Sequence, residues 1–133
     1  MNIPVLIAGI LSLLAFFAHA FVGDKEYQAL KPASNSSDKN KETWVQVRSG
    51  WHWVSVDLLL SSVLLIMISV TDVIAAEKEF LILLNIYFFI CGIVWFGVVF
   101  SSRNTNKQII VLGQWIFCLI MSSLLILGQT QNA

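Results

Sequence analysis

The chain has 133 residues, of which 57% are hydrophobic and only 12% charged. Soluble domains run near ~45–50% apolar and ~25% charged, so the composition excludes a soluble globular enzyme, a disordered chain and a nucleic-acid binder. Eight Lys and Arg balance eight Asp and Glu, so the information lies in where the charges sit.

Charge-poor stretches mark four spans. A helix rises about 1.5 Å per residue, so about 20 apolar residues cross a hydrocarbon core of roughly 30 Å. Lipid offers the backbone no hydrogen-bond partners, which leaves helices or closed barrels as spanning structures. The runs LLLSSVLLIMISV and FLILLNIYFFICGIVWFGVVF do not alternate at period two, which argues against a barrel. The prediction is an all-α integral membrane protein, a four-transmembrane-helix up-down bundle. Its spans are expected at 3–22, 51–75, 80–101 and 109–127, in one membrane domain over 1–133 with a first loop at 24–50.

On the first helix, Ser12, Phe16, His19 and Gly23 share a face. Ala18-His19-Ala20 has the small-x-small form of a signal-peptide cleavage site. The stretch before it lacks a basic segment, so the helix is expected to remain as a span. Gly23 is expected to end it with a left-handed residue and to fold Asp24 and Glu26 back over His19.

The first loop carries Asp24, Lys25, Glu26, Lys31, Asp38, Lys39, Lys41, Glu42 and Arg48, more than half of all charges. Its middle, from Pro32 to Asn40, is rich in turn formers. Trp44, Val47 and Trp51 then recur at helical spacing. The second helix is thus expected to start as early as Lys41, with Gly50 weakening the extension. Lys25, Lys31, Lys39, Lys41, Arg48, Arg103 and Lys107 fall in the first and third loops, against Lys78 alone on the other side. The basic side is predicted cytoplasmic, with both termini outside. Trp44, Trp51, Trp53, Trp95 and Trp115 fall in or near the cytoplasmic half and read as interfacial anchors. Asn35-Ser-Ser fits a glycosylation sequon but lies in that cytoplasmic loop.

The second helix has a stripe of His52, Ser55, Leu59, Ser62, Ile66 and Ser69. Small hydroxylated residues permit close helix approach in lipid, so this face is expected to turn inward. Asp57 lies five residues past His52, roughly 140° around the helix. Its neighbours one turn away are Trp53 and Ser61, and Asp72 marks the outer end. The third helix carries Asn85 and Cys91, and its Gly92 and Gly97 lack small-x-x-x-small spacing. The fourth aligns Gln114, Cys118, Met121 and Ser122. Cys91 and Cys118 form no Cys-x-x-Cys pair and read as packing residues.

An ionisable group within a span costs about 2.5–3.5 kcal/mol on insertion scales and is a functional hypothesis by default. His19, His52, Asp57 and Gln114 share one leaflet. With Gly23, Asp24, Glu26 and Trp51 they are the candidate site, a polar ligand- or partner-binding cluster at the cytoplasmic end. His19, His52 and Glu26 are candidate ligands for a divalent metal. The two histidines also suit a haem iron held from both faces, in a membrane redox protein. No His-x-x-x-His or Glu-x-x-His pair on one helix supports either. A small-molecule or lipid-headgroup pocket and a hydrogen-bonded interfacial network are the other readings. A small dimeric transporter needs a membrane carboxylate in the first helix, and Asp57 would have to substitute. The chain carries no Gly-rich phosphate loop or suggestive Ser/His/Asp order, so no catalytic residue is assigned. The expected partners are the lipid bilayer and another copy or membrane protein, with no nucleic acid.

The run His19-Ala-Phe-Val-Gly23-Asp24-Lys25-Glu26, a Pro32 soon after, and Trp51-His52-Trp-Val-Ser55 together resemble a family of small, uncharacterised bacterial four-span membrane proteins. That family's pattern is His-Ser-x-x-Gly-Glu followed by Trp-His-x-x-Ser/Thr. This chain departs from it with Ala20 in place of Ser, and with Asp24 and Glu26 competing for the single Glu. The resemblance covers under half the chain. It implies a bacterial inner membrane and directs attention to His19, Gly23, Glu26, Trp51 and His52, without supplying a reaction.

Overall fold

The computed structural model describes residues 1–101 and 113–131. Among these, all regular structure is helical: α1 (Ile3–Phe17), a π-helical turn (Ala18–Gly23), α2 (Asp24–Ala29), α3 (Asp38–Val70), α4 (Glu77–Ser101) and α5 (Gln114–Gln131). The first three run on as one rod, Ile3–Ala29. This rod, α3, α4 and α5 are the four helices long and apolar enough to cross a membrane. The expected start of the fourth span at 109, together with Arg103 and Lys107, lies outside the described residues.

The burial pattern is that of a chain solvated by lipid. Leu14 and Leu60 are 60% and 62% exposed, while Ser12 and Ser62 are fully buried. A water-soluble domain does the reverse. In hydrocarbon an exposed leucine costs nothing, and the small hydroxyl residues are the ones that let helices approach.

Two boundaries differ from expectation for local reasons. The α3 helix starts at Asp38, because the Ser37 hydroxyl accepts the Asn40 backbone N–H at 3.3 Å as an N-cap. Gly50 is carried within the helix without a break. At the other end α3 stops at Val70, five residues before 75. There the Ser69 hydroxyl donates to the Ile66 carbonyl, and the Thr71 hydroxyl and backbone N–H both donate to the Met67 carbonyl. About 20 residues counted back from Val70 reach Trp51, so the first third of α3 extends past the hydrocarbon.

The contacts define two compact units. One is Gly9–Leu64. In it, the rod and α3 run antiparallel. Ser12 donates to the Leu58 carbonyl at 2.8 Å, and the Trp44 indole donates to the Tyr27 carbonyl at 3.2 Å. The other unit comprises Met1–Ala8 and the described residues from Leu65 onward. Its α4 and α5 are also antiparallel. Gln129 donates to the Leu81 carbonyl, Ser122 to the Asn85 side-chain oxygen, and Phe88 meets Phe117 edge-on. Cys91 and Cys118 form no disulfide among the described residues.

In this second unit Asn2 ties the chain start to α5 by donating its side-chain amide to the Gly128 carbonyl at 2.8 Å. A Cβ on Gly128 would lie 2.4 Å from Cγ2 of Val5, which is fully buried. Overpacking of this kind costs about 1–3 kcal/mol, more than the ~1 kcal/mol by which Ala outranks Gly in a helix. Gly128→Ala is therefore expected to destabilise the protein in detergent unfolding titrations. Gly97→Ala, whose Cβ meets nothing within 4 Å among the described residues, is expected to be neutral or stabilising.

Candidate functional site

The site begins with the π-helical turn Ala18–Gly23. Closing i to i+5 takes one extra residue into the turn. Residues beyond it therefore lag by about one position, roughly 100° on the helix face. A regular helix would put Gly23 on the face of Ser12 and His19. The wider turn swings Asp24 toward it, and all three of Ser12, His19 and Asp24 meet α3. A π turn also misaligns carbonyls. The His19 carbonyl accepts the Trp51 indole N–H at 2.9 Å.

The His19 ring lies flat on Trp51, with centroids 3.8 Å apart and planes 8° from parallel. Its Nδ1 is 3.0 Å from the Ser55 hydroxyl. Ser55 is only 4% exposed, so the pair joins the helices. His19 thus pairs with Ser55, not with the loop carboxylates as expected. Gly23 does not end the helix either, because its φ of −64° is right-handed. Its role is clearance: a Cβ there would lie 2.3 Å from Cζ2 of Trp51.

Asp24 is the hub of the second half of the site. Arg48 donates through Nε to Oδ1 at 2.8 Å and through Nη2 to Oδ2 at 3.0 Å, the two-point fork that favours Arg over Lys. Gln28 donates to Oδ2 at 2.6 Å, and His52 Nε2 lies 3.2 Å from Oδ1. The Asp24 side chain is 13% exposed, so the carboxylate is covered by its partners. Arg48 in turn packs on the Trp44 ring at 5.4 Å.

The structure therefore brings together His19, Gly23 and Trp51 in a stack, and Asp24 and His52 in an ion-paired cluster, all within one unit. Glu26 is exposed on α2, so of the two competing carboxylates Asp24 is the one engaged. Asp57 is exposed farther along α3. Gln114 belongs to the other unit, where its side-chain oxygen is buried without a partner among the described residues. Those residues contain no group of three His, Cys, Asp or Glu side chains placed to hold a metal ion.

Arg48 and Gln28 were not foreseen as members of the site. Both had a signal, because each lies four residues from a partner in the same helix (Arg48 from His52, Gln28 from Asp24), where side chains are neighbours. Reading the segment around Asp24 and Gln28 as loop conceals the second pair, while a helix from Lys41 already holds Arg48 and His52 together. A larger cavity, of about 890 Å³, lies in the second unit beside Asn2, Ser69, Asp72, Glu77 and Gln129, and no candidate site residue lines it. Comparisons with family models, curated proteins and solved structures find no match.

Proposed function

We propose that this small multi-pass membrane protein is non-enzymatic and binds an anionic group of a ligand or partner at the Asp24 cluster, on the cytoplasmic side of a bacterial inner membrane. One observation carries the reading: the cluster ends in hydrogen-bond donors. Arg48 spends Nε and Nη2 on Asp24, and a guanidinium has five N–H donors, so Nη1 points to further use. The Arg48 side chain is accessible, at 33% exposure. The lysine- and arginine-rich first loop supports the cytoplasmic assignment, and the family resemblance supports the bacterial one.

The test is thermal unfolding of the detergent-solubilised chain in citrate or acetate against chloride at matched ionic strength. Wild type is expected to gain stability with the carboxylates. Arg48→Gln and Arg48→Lys should lose that increment, whatever their baseline, because neither can both fork Asp24 and bind a second acceptor. An increment absent from wild type, or retained in both variants, would count against the reading.

A further inference from the structure

The unit that holds the Asp24 cluster has a second, separate pocket of about 430 Å³, lined chiefly by Lys31, Pro32, Ser34, Lys41, Trp44 and Val45. That volume is within the roughly 300–1,000 Å³ of small-ligand sites. Its aromatic wall is held in place. The Trp44 indole donates to the Tyr27 carbonyl at 3.2 Å, and Lys31 Nζ and Arg48 Cζ lie 5.9 and 5.4 Å from its ring centre. Two lysines line the pocket from different segments, Lys31 just past α2 and Lys41 in the first turns of α3. Lys41 contacts Asp38 at 3.5 Å, but that carboxylate is 95% exposed. A solvated pair of this kind is weak and yields to a better anion. Pro32 and Val45 supply carbon surface beside the charges.

Depth narrows the ligand. With Trp51 at the hydrocarbon edge, Trp44 lies seven residues farther out, about 10 Å along α3. The headgroup layer occupies roughly the first 5–8 Å beyond that edge, and lysine stems span the difference. Lysine is a point charge suited to phosphate, and an aromatic ring is at home at the membrane interface.

We propose that the pocket of Lys31, Ser34, Lys41 and Trp44 binds the phosphate of an anionic lipid headgroup. This goes beyond the Asp24 reading and does not depend on it. The experiment uses the full chain in nanodiscs of equimolar phosphatidylcholine and phosphatidylglycerol, with the retained lipid identified by native mass spectrometry. Wild type retains phosphatidylglycerol preferentially. Each lysine-to-glutamine change weakens the preference about fivefold, so Lys31→Gln/Lys41→Gln loses it. The charge-retaining Lys31→Arg/Lys41→Arg keeps it, which separates charge from folding. A second arm adds inorganic phosphate to phosphatidylcholine nanodiscs. Lysine-dependent phosphate adducts without any lipid preference would assign the pocket to free phosphate and overturn the lipid proposal. Equal retention of both lipids by wild type, or a preference unchanged in Lys31→Gln/Lys41→Gln, would overturn it as well.

Discussion

Asp24→Ala is expected to lower the melting temperature several-fold more than Glu26→Ala. Three hydrogen bonds converge on Asp24, two from Arg48 and one from Gln28, and His52 Nε2 lies 3.2 Å from the same carboxylate. Removing the carboxylate leaves a guanidinium at the membrane border without its counterion, the costly way to break such a pair. Glu26 is exposed, and its loss removes little. The hub also predicts non-additivity. Asp24→Ala/Arg48→Ala should be less destabilised than the two single variants summed, because contacting residues share one interaction. Thermal unfolding of the five proteins in one detergent reads all of this. Equal effects of Asp24→Ala and Glu26→Ala would remove Asp24 from its central place.

Gly23→Ala is expected to cost about 1–3 kcal/mol, the usual range for overpacking. Local preference alone gives the opposite sign. Gly23 has helical φ, and Ala is better than Gly within a helix by about 1 kcal/mol. The sign is decided by Trp51, whose Cζ2 would lie 2.3 Å from the new Cβ. The indole has little room to yield, because its N–H is tied to the His19 carbonyl and its face is stacked on the His19 ring. Either the helices separate or both contacts go. Two controls isolate the cause. Gly50→Ala adds a Cβ that meets nothing within 4 Å and should be neutral or stabilising. Trp51→Leu should make a second change at Gly23 far less harmful than it is in wild type. Destabilisation by Gly23→Ala that is undiminished in Trp51→Leu would locate the effect elsewhere.

The sequence by itself determined the fold class. Four apolar stretches long enough for lipid, separated by charge, admit only spanning helices, because an unpaired backbone is too costly in hydrocarbon. It also determined the serine face of α3, since Ser55, Ser62 and Ser69 recur at seven-residue spacing and all three are buried. His19, Gly23, Asp24, Trp51 and His52 were legible as neighbours at one end of a helix pair. Their pairing was not. A helical period that assumes 3.6 residues per turn puts Gly23 on the inward face, and the π turn brings Asp24 to α3 beside it. That turn is a contest between backbone hydrogen bonds and contacts with α3, so no local signal announces it. Helical hydrogen bonding continues from Asp38 through Gly50, and that continuity aligns Arg48 with His52 opposite Asp24. Which carboxylate is covered, which ring stacks on His19, and why a glycine is needed at 23 depend on what lies across from each residue. Only the tertiary structure decided those, because packing between helices, not preference within them, sets the energies involved.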